Sequence, residues 1–117
     1  MIDARFLPDG PVELWRAFDE LQRRSTSARN ALRLWYAFGA LDIAASARTL
    51  DVPCLILHSA QDQVWPLSEA EDLHALIPGS TLVTLSSNNH ILRGDEPAFG
   101  ALLDAVESFL AGRLTAA

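Results

Sequence analysis

Two short polar segments carry the side chains most able to do chemistry. His58-Ser59-Ala60-Gln61-Asp62-Gln63-Val64-Trp65-Pro66 follows one apolar run, and Ser86-Ser87-Asn88-Asn89-His90 follows a second. A carboxylate held against one imidazole nitrogen fixes the tautomer and stabilises the imidazolium. The other nitrogen is then free to take a proton from a nucleophile. Asp62 lies in the first segment and His90 in the second. With His58 added, the same groups offer imidazole and carboxylate donors of the kind zinc accepts. Each also has a plainer reading. Asp62 taken singly is a turn residue or helix cap, and a lone loop histidine is usually just solvated.

Composition narrows the chemistry. The 117 residues suit one domain and, with 50% hydrophobic residues, can bury a modest core. All nine basic residues are Arg. Without a lysine there is no phosphate-loop lysine, no Schiff-base lysine and no Ser-x-x-Lys nucleophile. A net charge of −6 without any basic run argues against nucleic acid and anionic membrane surfaces as partners. The single Cys54 cannot form an internal disulfide or a CxxC metal or redox site. Its apolar neighbours mark it as a small core residue. No stretch approaches the ~20 apolar residues of a membrane span, and Met1 to Asp9 lacks a basic-then-apolar signal. A cytoplasmic, reducing setting is expected, with no cofactor and no metal.

The elements that must position Asp62 and His90 can be read from periodicity. Before residue 50 the pattern is helical. Asp9-Gly10-Pro11 starts a helix whose Leu14, Trp15, Phe18 and Leu21 share a face. Ser25-Thr26-Ser27 ends it and offers caps for a second, carrying Ala31, Leu34, Trp35 and Phe38 up to Gly39. Asp42 can cap a short third helix from Ala44 to Arg48. Trp15, Trp35 and Phe38 at this spacing read as packing residues before pocket residues.

After residue 50 the pattern alternates. Val52 to Leu57 is a continuous apolar run, as in a parallel strand covered on both faces. Ser68-x-x-Glu71 has the form of a capping box for a helix that Pro78-Gly79 stops. Glu69, Glu71 and Asp72 read as its solvated face, and His74 as exposed and inert. Thr81 to Leu85 is a second strand. Asp95-Glu96-Pro97 opens a last helix with an apolar stripe from Phe99 to Leu110. Strand, helix and strand in this order predict a parallel unit, whose carboxyl ends are where function gathers. Two parallel strands are too few for an independent sheet.

The motifs resemble the C-terminal part of the α/β-hydrolase family. Pro53, the strand Cys54-Leu55-Ile56-Leu57, His58, Asp62 and Pro66 fall on the family's late-acid motif, and His90 follows the next strand. Ile77-Pro78-Gly79-Ser80 and the closing Phe109-Leu110 look like the family as well. Residues 6–50 resemble the helical cap and post-cap segment of a bacterial subgroup, some members of which are fused to regulatory domains. The resemblance covers nearly the whole chain and is most specific over 52–110. It implies an α/β fold, specifically a partial α/β-hydrolase. Residues 1–50 would be a helical cap segment and 51–117 two strand–helix units.

By that resemblance His90 is the general base and acid of a Ser-Asp-His triad, Asp62 its orienting carboxylate, and His58 a structural neighbour of Asp62. Trp65 and Trp35 are candidates for bordering the substrate pocket, with an ester or similar acyl compound as the small-molecule substrate. The family's G-x-S-x-G elbow is absent, since no serine has glycine at both −2 and +2. Ser59 stands where Gly is common. Asn88-Asn89 replaces a frequent Gly, and Asn tolerates left-handed backbone. The alternative is a non-catalytic module whose open strand edge pairs with a second copy or a complementing chain.

Overall fold

The structure, a computed structural model, describes residues 3–112. Eight elements follow in order: α1 (Asp3–Phe6), α2 (Val12–Ser25), α3 (Ala28–Gly39), α4 (Ala44–Arg48), β1 (Leu55–Ser59), α5 (Leu67–Leu76), β2 (Thr81–Leu85) and α6 (Pro97–Leu110). The two strands pair in parallel, with Leu55 opposite Thr81 and Ser59 opposite Leu85. Helices and a small parallel sheet make the fold α/β in the broad sense. The ends of the two expected segments, residues 1–2 and 113–117, lie outside the described residues. Among the described residues, no helix is long and apolar enough to cross a membrane.

Most boundaries follow local chemistry. Pro11 precedes the first turn of α2, and exposed pairs Arg23–Asp19 and Arg24–Glu20 stack one turn apart along it. Ser27 Oγ caps α3 by accepting the amide of Asn30 at 3.2 Å. Asp42 Oδ1 accepts the amide of Ala44 at 3.0 Å and so opens α4 from one residue outside its cap position. Gly79 turns the chain out of α5 with φ 67°, a backbone geometry that costs glycine little. Pro97 is the first residue of α6.

Several expectations are corrected. The first strand is Leu55–Ser59 rather than Val52–Leu57. Pro53 has no N–H to give a ladder, and pairing begins only where the Cys54 carbonyl accepts the amide of Thr81 at 2.8 Å. The strand therefore runs on through His58. Cys54 is half-buried rather than a core residue. No capping box forms at Ser68-x-x-Glu71. Helix α5 already begins at Leu67 after Pro66, which puts Ser68 inside the first turn with no cap bond. Along the apolar stripe of α6, Leu103 and Leu110 are exposed.

Both α5 and α6 pack on both strands, α4 packs on α5, and α1 packs on α2. Among the described residues the buried apolar ones are few: Leu7, Ala47, Ala70, Ile77, Leu85 and Ala98. The accessible surface is 8374 Å², against about 6,300 Å² for a compact chain of this mass. The reading of Trp35 and Phe38 as core is overturned, since they are 68% and 66% exposed. Among the described residues α3 has no substantial packing partner, so its apolar stripe has nothing to be buried against.

Candidate functional site

The parallel register brings the carboxyl ends of β1 and β2 side by side. The amide of Ala60 reaches the carbonyl of Leu85 at 2.8 Å, and that of Gln61 reaches the carbonyl of Ser87 at 3.2 Å. The two loops are thereby tied together just where Asp62 and His90 begin to face each other.

Asp62 divides its two carboxylate oxygens. Oδ1 accepts the amides of Val64 at 2.7 Å and Trp65 at 3.1 Å, which closes the tight turn after β1. Oδ2 lies 2.6 Å from His90 Nδ1. The turn reading and the paired-carboxylate reading of Asp62 therefore both hold, one on each oxygen. Its side chain is 3% exposed. Burial alone pushes its pKa up. The bond from His90, the two amides and the electrostatic attraction of His90 for the carboxylate outweigh that and hold it below the ordinary aspartate value.

A carboxylate can only accept, so Nδ1 of His90 carries the proton. In the neutral imidazole Nε2 then carries the lone pair, and no group among the described residues hydrogen-bonds to it. His90 borders a pocket of about 270 Å³ that Asp62, His58 and Ser59 share, with Leu57, Leu85, Leu92, Phe99 and Leu102 as its apolar lining. The arrangement has the elements of a general base: a fixed tautomer, an anchored counter-charge, and a free nitrogen beside an apolar hollow.

His58 is a neighbour of Asp62, at 3.7 Å from Oδ2. Its Nε2 donates instead to the carbonyl of Trp65 at 2.8 Å, which ties the turn back to the strand. Trp65 supplies its backbone to both Asp62 and His58, while its indole is 55% exposed and lies outside the pocket lining. Trp35, on α3, is likewise not among the lining residues. His74 is exposed and pairs with Ser80 Oγ at 2.7 Å. Among the described residues no group of three or more His, Cys, Asp or Glu side chains is placed to hold a metal ion.

Among the described residues no hydroxyl or thiol hydrogen-bonds to Nε2. Ser59 Oγ donates to the carbonyl of Asn89 at 2.6 Å, and Ser87 Oγ donates to Glu96 Oε2 at 2.7 Å. Cys54 precedes β1, at the end of the strand away from Asp62.

The support of the histidine loop is the part that residue types did not reveal. Asn89, 1% exposed, accepts the amide of Asp9 on Oδ1 at 3.1 Å. Its Nδ2 donates to Glu96 Oε1 at 3.2 Å, and its own amide donates to Ser87 Oγ at 3.0 Å. Glu96 Oε1 also accepts the amide of Arg93 at 2.6 Å. Burial pushes Glu96 up in pKa, and the bonds from Arg93, Ser87 and Asn89, with the Arg93 charge, hold it below the ordinary value. The expectation that left-handed Asn geometry lets this loop form is corrected. Among the described residues no non-glycine residue has positive φ. Asn89 serves through its amide group.

The N-terminal segment also closes on this loop. Asn88 Nδ2 donates to Asp9 Oδ2 at 2.9 Å, and Arg93 Nη1 donates to the Asp9 carbonyl at 2.9 Å. No sequence signal linked these residues, which lie about eighty positions apart. The chain matches no family model, no curated protein and no solved structure.

Proposed function

We propose that the chain is part of a serine hydrolase of the α/β-hydrolase type, and that Asp62 and His90 are the acid and the base of its triad. Residues 1–50 would then be the helical cap segment, and 51–117 the last two strand–helix units of a larger sheet. The observation that carries this reading is the 2.6 Å bond from His90 Nδ1 to a buried, doubly anchored Asp62, with Nε2 unpartnered beside an apolar pocket. In such a site Nε2 takes the proton of a serine as it attacks an acyl carbon, then returns it to the leaving group. Asp62 holds the tautomer and steadies the imidazolium. A small ester or related acyl compound is the substrate class, and the serine comes from a segment other than this one.

The test is turnover of p-nitrophenyl acyl esters by this chain together with the segment bearing a G-x-S-x-G elbow. Wild type is expected to turn over, and His90→Ala to lose orders of magnitude in kcat. Wild-type turnover by His90→Ala would reject the assignment. The 117-residue chain alone is expected to resist a fluorophosphonate probe, because none of its serines is presented to Nε2.

A second reading is favoured by the exposed apolar face of α3 and by the small size of the sheet. The chain would then be a non-catalytic module that pairs with a second copy or a complementing chain. A monodisperse monomer in light scattering counts against it.

A further inference from the structure

We propose that Phe6 is a positioning residue for His90, fixing the plane of the imidazole while Asp62 fixes its direction. A single hydrogen bond from Nδ1 tolerates a range of angles and leaves the tethered ring room to tilt. The ring of Phe6 meets the imidazole nearly edge-to-face, with centroids 5.2 Å apart and planes at 83°, within the favoured range for such pairs. Phe6 is itself backed by Phe18 of α2, with centroids 5.7 Å apart.

The backbone acts on the same residue. The carbonyl of Phe6 accepts the amide of His90 at 2.9 Å and that of Ile91 at 3.1 Å, so main chain and side chain of His90 are both held by one residue. The segment cannot swing away easily. Leu7 is buried and its carbonyl takes Trp15 Nε1 at 2.7 Å, while Asp9 is bonded to Asn88, Asn89 and Arg93. Tilting of the imidazole would shift Nε2 relative to the pocket that His90 borders. The effect on turnover rests on the acid–base reading of the pair, but the positioning does not.

The test is NMR on the 117-residue chain with ¹⁵N-labelled histidine, following water exchange of the His90 Nδ1 proton. Phe6→Leu keeps the carbonyl and most of the apolar volume but removes the ring. It is expected to speed exchange about 2- to 10-fold, whereas Phe6→Tyr should stay within about twofold of wild type. The amides of Val64 and Trp65, which hold Asp62, report that the turn is intact. Wild-type exchange in a folded Phe6→Leu variant overturns the proposal. If Phe6→Leu does not fold, a nuclear Overhauser contact between the Phe6 and His90 rings in wild type decides: its presence supports the proposal and its absence overturns it. In a turnover-competent protein Phe6→Leu should lower kcat with KM unchanged. Absence of turnover in wild type would sink the acid–base reading and leave the exchange result standing.

Discussion

Oδ2 of Asp62 accepts the Nδ1 proton of His90 at 2.6 Å across 28 residues of sequence, while Oδ1 of the same carboxylate closes the turn that presents it. One side chain thus builds the loop and orients the imidazole, so different substitutions at 62 separate the two roles. In Asp62→Asn the amide oxygen can still serve Val64 and Trp65, and the turn survives. The amide nitrogen now faces Nδ1 and can only donate, so the imidazole must move its proton to Nε2, where it can no longer act as a base. The expected outcome is a fall of about 10⁴ in kcat with a modest change in stability. Asp62→Ala should destabilise more, since both turn amides lose their acceptor. Full kcat in Asp62→Asn would remove the carboxylate from the mechanism.

Acid sensitivity follows from the same hydrogen bonds. The pKa values of Asp62 and Glu96 are both held below ordinary in the fold. A carboxylate depressed on folding stabilises fully above its unfolded value, and that stability is lost as pH falls through the folded value. Stability should therefore be flat near neutrality with respect to these groups and decline below about pH 4. Glu96→Gln should make that decline shallower in urea titrations at several pH values. An identical slope would show that Glu96 does not contribute.

The cage around Asn89 gives a stability prediction independent of any activity. Asn89→Ala leaves the amide of Asp9 and one bond of Glu96 without a partner in a partly buried site. The expected cost is about 1–3 kcal/mol, read from the urea midpoint at constant slope. Asn88→Ala removes only an exposed bond to Asp9 and should cost less than about 0.5 kcal/mol. Equal effects of the two would contradict the assignment of Asn89 as the buried keystone of the loop.

What the residues announced and what they concealed divide along a physical line. Thr81 to Leu85, α2 and α3 follow from patterns local to a few turns, and they form where periodicity puts them. The pairing of Asp62 with His90 was anticipated from the family resemblance, with each residue in the loop that follows a strand of one parallel unit. Phe6, Asp9 and Glu96 were not, because each acts through contacts set by the closed fold. The amide of Asp9 meets Asn89, eighty positions away, and neither residue type announces the bond. Burial of Trp35 was misread for a related reason. Helical spacing identifies an apolar face, but it does not supply a surface for that face to meet.

That unpartnered face yields the last prediction. Trp35 and Phe38 sit on one stripe of α3 at about two-thirds exposure, and α3 has no substantial neighbour among the described residues. If these rings were core, their loss would cost about 3–5 kcal/mol each. Exposed as they are, the double variant Trp35→Ser, Phe38→Ser should move the urea midpoint by no more than about 0.5 kcal/mol per site. The same rings are exposed apolar surface available for association, and burying them in a partner is favourable in proportion to area. Sedimentation velocity across a concentration series should therefore show the wild-type chain self-associating and the double variant shifted towards monomer. A wild type that stays monomeric throughout would retire the oligomerising reading. A large loss of stability in the variant would instead mean that α3 packs on its own chain.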